Sequence, residues 1–441
     1  MKRIQKHSLT FISINIYIIL LILLPKNIPN IFGIIPLRTT LTYLLFIIFI
    51  YDRYKNKIEI NNFNFKWLWI TYGIFIICTI PSIIVSMNKI TTIYTIIKFI
   101  SFILFLYVCI KIKLTKEEYK IIIKNIIILS VLKFIWGLIE YIFGINLFTI
   151  GAYKYPGSKG RIRCFFFNTI YYGAYINLIY IYLIYLFNIE KKQNNKIILA
   201  IILLLGYINL LLTFTRSSLL ILYGTIFLLL IFLRKSILNK YVIGIGLICL
   251  VIGFMIPGTS TLILSSVNDT SKIVFNAGIF DKFLPDGGNA DKDAEMGDYS
   301  LSHRRLFAKT GIAIGKDHML SGIGFGSYID YIKTDEFKQN YPKYKDVLTH
   351  PHSSYVLMFS ETGILSVISF TAFMIVLIIN IIKSIKLNKD ISYIILIITI
   401  GFYLVNIAAE NMFYDTQIFP MYLLVIGLSL GYIINNKLVK E

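Results

Sequence analysis

Stretches of roughly twenty apolar residues recur along most of this chain with few charges to interrupt them, and each is long enough to cross a ~30 Å hydrocarbon core as a helix. Only hydrogen-bonded helices and closed barrels cross that core without stranding backbone polar groups. The runs do not alternate as barrel strands do, so they predict an all-α polytopic membrane protein. Composition agrees, because 57% of the 441 residues are hydrophobic and only 15% are charged, too few charges to solvate a domain of this size.

The uninterrupted runs predict about twelve transmembrane helices, near 9–24, 34–51, 67–86, 92–110, 121–143, 164–187, 197–214, 217–233, 241–256, 354–382, 391–409 and 413–434. The first run follows Lys2, Arg3 and Lys6 as in a signal peptide, but no small-residue cleavage site follows it, so it reads as a membrane helix. With the N-terminus in the cytoplasm, inner segments hold 22 Lys and Arg and the short outer segments hold nine. The positive-inside rule therefore places both termini in the cytoplasm and residues 257–353 outside, as one large extracytoplasmic loop between helices 9 and 10. No repeat or linker divides residues 1–441, which read as a single membrane domain. Within the loop, Asp269, Asp281, Asp286, Asp291, Asp293, Glu295 and Asp298 mark a solvated stretch, and Arg304 to Ile314 is helix-like.

The formal net charge is +21, yet the basic residues are scattered singly and form no contiguous face with interleaved aromatics, which excludes nucleic acid as a partner. The excess belongs to cytoplasmic loops facing the anionic lipid bilayer. Cys78, Cys109, Cys164 and Cys249 lie in or beside apolar runs and suggest neither a disulfide framework nor a zinc site.

On this topology four basic groups meet the outer face: Arg163, Arg216, one of Arg304 and Arg305, and His352. Arg216 sits in Thr213-Phe214-Thr215-Arg216-Ser217-Ser218, between two apolar runs with almost no loop to keep it in water. An unpaired arginine at mid-membrane costs ~3 kcal/mol, less near the interface. A snorkelling arginine is the plain reading; a clamp on a lipid-linked phosphate is the functional one, since guanidinium binds phosphate through two parallel hydrogen bonds.

Thr213-Phe214-Thr215-Arg216 resembles the Thr-x-Ser-Arg signature of the O-antigen ligase and O-antigen polymerase family of membrane glycosyltransferases, with Thr215 in place of Ser. Arg304 to Gly326, with Lys316-Asp317-His318-Met319-Leu320-Ser321-Gly322, resembles that family's block from Arg to Asp-His-Pro-Leu-Leu-Gly, with Met319 replacing the usual proline. His352-Ser353, then Gly363-Ile364-Leu365-Ser366, resembles the pattern of His, a polar residue and Gly-x-x-Gly, with Ser366 in the last small position. Arg163-Cys164-Phe165-Phe166-Phe167-Asn168 is similar to an Arg-led segment of the same family, with Thr169 where proline is usual.

The resemblance implies that a polyprenyl-diphosphate-linked glycan is transferred on the outer face of the cytoplasmic membrane to an acceptor hydroxyl, with inversion at the anomeric carbon. It also implies no cofactor or metal. The leaving group is a diphosphate, and fixed cations in a water-poor site stabilise the charge it gathers. Arg216 and Arg304 are the candidates for that clamp, with Arg305 an alternative to Arg304 because the alignment slips by one residue. Arg163 and Lys98 extend the cluster, although Lys98 also fits a snorkelling role. His352 is the candidate acid/base group; His350 lies two residues away, and the family spacing to Gly363 favours His352. Glu361 and Glu410, near outer helix ends, are candidates to orient His352 or the acceptor, or to pair with an arginine. Lys133 and Glu140 share one face of the fifth helix and suggest an internal polar contact.

Asp291-Lys292-Asp293 has the spacing of a metal-binding Asp-x-Asp, but lies outside among other acids, where no nucleotide sugar is expected. Gly322, Gly324 and Gly326 do not form a dinucleotide fingerprint and read as a tight turn near the site. A flippase or other transporter would more often divide into two similar halves than into nine helices and three. Within the family, Ile, Lys and Asn dominate as in AT-rich genomes, a sign of a host without lipopolysaccharide. Polymerisation of lipid-linked repeat units is therefore preferred over ligation to a lipid A-core or other surface acceptor, with a chain-length regulator as a partner a polymerase would call for.

Overall fold

The computed structural model describes residues 8–25, 37–60, 65–143, 161–166, 168–224, 226, 299–386, 401 and 410–438. Regular structure among them is helical, apart from an isolated antiparallel bridge between Ile60 and Ile112. Five helices are long and apolar enough to cross a membrane, over Lys66–Val85, Lys89–Lys111, Lys116–Phe143, Gln193–Leu212 and Ile364–Lys383, and three shorter apolar helices accompany them. The expected span at 241–256, all but residue 401 of that at 391–409, most of that at 217–233, and the acidic stretch 269–298 lie outside the described residues.

Local chemistry sets where the helices begin. Ser8 caps α1 (Leu9–Leu23) by accepting the N–H of Phe11 at 3.1 Å. Asp52, fully buried near the end of α2 (Leu37–Tyr54), takes the N–H and hydroxyl of Thr10 at 2.6 and 2.7 Å. A carboxylate buried in this way is stabilised by the N-terminal dipole of α1. The 67–86 run forms α3 (Lys66–Thr79) and α4 (Ser82–Val85), interrupted at Pro81, which has no N–H to donate. Asn88 caps α5 (Lys89–Lys111). Thr115 and Glu118 exchange side-chain and backbone hydrogen bonds of 3.0 and 3.2 Å as a capping box at the start of α6 (Lys116–Phe143). Asn168 caps α7 (Thr169–Ile189), and α8 (Gln193–Leu212) follows.

The later part of the chain supplies α9 (Tyr299–Asp317), the short helices α10 (Tyr328–Tyr331) and α11 (Asp335–Asn340), then α12 (Ser354–Thr362), α13 (Ile364–Lys386) and α14 (Ile418–Leu438). The single helix expected over 354–382 is divided at Gly363, whose φ of +80° suits glycine. A Cβ there would lie 2.5 Å from the Met319 carbonyl oxygen, because the turn after α9 crosses at this point.

Helix α3 packs on α13, α5 on α14 and α9 on α12, so late helices lie directly against early ones. Their shared core is aromatic: the Phe413 ring is 4.5 Å from Phe99 and 4.1 Å from Phe370, and Phe325 is 4.7 Å from Phe99. Residues 306–357 enclose a second, smaller core around Ile314, Tyr328, Tyr331, Phe337 and Leu357.

Candidate functional site

Helix α9 and the start of α12 bring an arginine and a histidine to one carboxylate. Arg304 Nη2 is 2.7 Å from Glu410 Oε1, and His352 Nδ1 is 3.1 Å from Glu410 Oε2. Glu410 is 4% exposed, whereas Arg304 and His352 are half-buried. The Glu410 backbone is fixed as well, since the Ser354 hydroxyl donates to its carbonyl at 2.8 Å while accepting the Phe413 N–H at 3.4 Å. One turn after Arg304, the Phe307 ring lies 5.8 Å from the His352 ring. Arg305 is exposed, so of the two arginines it is Arg304 that reaches Glu410.

A second carboxylate lies behind this group. Glu361, at the end of α12 and outside the span that begins at Ile364, is 1% exposed and accepts the Tyr328 N–H at 3.1 Å. Burial pushes its carboxyl up to about 7, opposed by the N–H groups of Gly326 and Tyr328 and by the Tyr414 hydroxyl. The glycine turn wraps the same residue: Gly324 donates to the Glu361 carbonyl at 3.0 Å. A Cβ on Gly322, where φ is +65°, would meet the Glu361 carbonyl carbon at 2.1 Å. Lys98 donates to the Tyr414 carbonyl at 3.3 Å, with its ammonium over the Phe99 and Tyr414 rings at 5.5 and 5.7 Å. Lys98 therefore points into the helix bundle.

The other two cations approach through α7 and α8. After α8 the chain turns at Phe214, with φ of +50°, and Thr213 and Thr215 share a 2.7 Å hydroxyl contact before Arg216 opens a helix over 216–224. Arg216 is exposed at that turn. Ile162 donates to the Leu212 carbonyl at 3.1 Å, so the segment bearing half-buried Arg163 is fastened to the same end of α8. The Tyr171 hydroxyl, in the first turn of α7, reaches the Asn411 carbonyl at 3.3 Å, next to Glu410.

Arg304, His352 and Glu410 thus meet directly, and Lys98 and Glu361 meet at Tyr414, four residues beyond Glu410. Arg163 and Arg216 share the end of α8, joined to the Glu410 segment through α7. Lys133 and Glu140 are both buried in α6 but serve different partners. Glu140 accepts the Arg163 and Cys164 N–H groups, and the Lys133 amino group lies 3.7 Å from the centroid of the Phe166 ring. Sequence reasoning passed over Ser354, Tyr414 and Tyr171. The polar pairs Glu410-Asn411 and Asp415-Thr416, set between apolar runs, were the signal available.

Comparison with curated proteins gives no match. Residues 198–371 match the family model described as O-antigen ligase, a region that holds the Arg216 turn, Arg304, the glycine turn, His352 and Glu361. With helices apolar enough to span a membrane and a cluster of basic groups and carboxylates, the match over residues 198–371 supports a relation to the O-antigen ligase and polymerase family.

Proposed function

We propose that the protein is a glycosyltransferase of the extracytoplasmic face that polymerises polyprenyl-diphosphate-linked oligosaccharide repeats by an inverting, metal-independent displacement. The observation that carries this reading is the Glu410 carboxylate joining Arg304 and His352 from three separate segments of the chain. With Nδ1–H of His352 donated to Glu410, Nε2 is the basic nitrogen and takes the proton of the attacking sugar hydroxyl. The carboxylate holds the ring in that tautomer and stabilises the imidazolium that forms, as in other base and orienting-acid pairs. The hydroxyl oxygen bonds to the anomeric carbon, the bond from that carbon to the diphosphate breaks, and the lipid diphosphate leaves with the electron pair. Arg304 and Arg216, with Arg163 and Lys98 behind them, offset the charge gathering on the diphosphate. Because guanidinium groups supply that charge, no divalent cation is required.

The family description favours ligation to a separate surface acceptor as the second reading. Purified protein in liposomes, given a labelled polyprenyl-diphosphate oligosaccharide, separates the two: a ladder of products without added acceptor means polymerisation, and a single product that requires an acceptor means ligation. Arg216→Ala and His352→Ala each lower transfer by about 10²-fold or more while the protein still inserts, and chelators leave the wild-type rate unchanged. Full activity in both variants, or a strict need for Mg²⁺, overturns the mechanism.

A further inference from the structure

Two buried ionisable groups of α6 have no part in the mechanism above, yet both act on the segment that carries Arg163. The Glu140 carboxylate spreads over two successive backbone donors, with Oε1 3.3 Å from the Arg163 nitrogen and Oε2 2.9 Å from that of Cys164. About two helical turns earlier, the Lys133 carbonyl accepts the Cys164 thiol at 3.3 Å, and the Lys133 amino group is boxed by the rings of Phe166, Tyr175 and Phe165 at 3.7, 5.0 and 5.5 Å. Among the described residues that amino group has no hydrogen-bond acceptor, so the ring faces alone receive it.

These contacts hold an unusual backbone. Cys164 and Phe165 follow Arg163 with φ of +39° and +54°, two consecutive non-glycine residues in the left-handed region. Such a pair persists only where its surroundings over-determine it. A carboxylate and an amine inside a helix bundle are costly as space-filling, and here both are spent on the segment around Arg163, which is also bonded to the end of α8 through Ile162. Within the reading of the site as a diphosphate clamp, we infer that Glu140 and Lys133 are positioning residues that fix Arg163 against the turn bearing Arg216, so that the two guanidinium groups engage one lipid-linked diphosphate together.

The test uses the full-length protein in liposomes with a labelled polyprenyl-diphosphate oligosaccharide, reading donor KM and kcat separately for Glu140→Gln, Lys133→Met, Arg163→Ala and the doubles Glu140→Gln with Arg163→Ala and Lys133→Met with Arg163→Ala. Glu140→Gln keeps the side chain's shape but turns a donor toward one of the two N–H groups, and raises the donor KM roughly tenfold with a smaller change in kcat. Adding it to Arg163→Ala causes no further rise, because the residue acts through Arg163. If Glu140→Gln fails to purify as a folded protein, Lys133→Met and its double read the same segment from the opposite side. An unchanged donor KM in the folded single variant, or effects that multiply in the double, overturns the inference. Should Arg163→Ala leave the donor KM unchanged while Arg216→Ala abolishes transfer, the inference falls and the glycosyltransferase reading stands. Normal transfer in both Arg216→Ala and His352→Ala removes the two together.

Discussion

Glu410 is one carboxylate with two jobs, since Arg304 neutralises one oxygen and His352 addresses the other. A buried anion in this position depends on Arg304, and removing that guanidinium leaves charge uncompensated in a poorly hydrated place. Glu361, fully buried at the end of α12, has a different balance: desolvation outweighs its donors, and its carboxyl rises from 4.5 to about 7. Between those two values the unfolded chain binds fewer protons at this position than the folded one, so its contribution to stability falls as pH rises through that window and stays lost above it. Glu361→Gln removes this proton linkage. Its thermal midpoint, followed in detergent from pH 4.5 to 8, gains on the wild type up to about pH 7 and then runs parallel to it. A constant difference across the whole range would show that Glu361 is ionised throughout. The residue types at these positions were legible from the sequence. An acid orienting His352 or pairing with an arginine was expected as well, but the choice of Glu410 over Glu361 was not legible, because it depends on how α9, α12 and the 410–415 segment pack.

Helix positions were the most readable level, because unbroken apolar runs leave the backbone no other way to satisfy its N–H and C=O groups in hydrocarbon. The breaks were less so. Pro81 divides the 67–86 run for a reason visible in the residue itself, but Gly363 divides the 354–382 run because the turn after α9 needs its space, a tertiary cause that no local pattern discloses. Gly363→Ala combines a left-handed φ with a Cβ 2.5 Å from the Met319 oxygen, and lowers stability by about 1–3 kcal/mol. Gly73→Ala, in α3 with no atom within 4 Å of the added Cβ, is neutral or slightly stabilising. Thermal unfolding of the two variants in the same detergent checks the contrast; equal midpoints would mean that the 319–322 turn does not constrain α12.

At the scale of the whole molecule, the distribution of Lys and Arg predicts which face holds the site, with 22 on the inner segments against nine on the short outer ones. In a cysteine-free background, Lys316→Cys on α9 reacts with a membrane-impermeant maleimide added to intact cells, and Lys191→Cys between α7 and α8 reacts only after the membrane is opened. Both positions are exposed, so access alone decides the result. The reverse pattern would invert the protein and move the cluster to the cytoplasmic side.

The hydrogen bond from Tyr171 to the Asn411 carbonyl spans 240 positions of the chain. The ribosome therefore completes most of this polypeptide before this contact can form. A nascent protein stalled after α13 would rest in the bilayer without Glu410, the carboxylate that ties the histidine to the arginine.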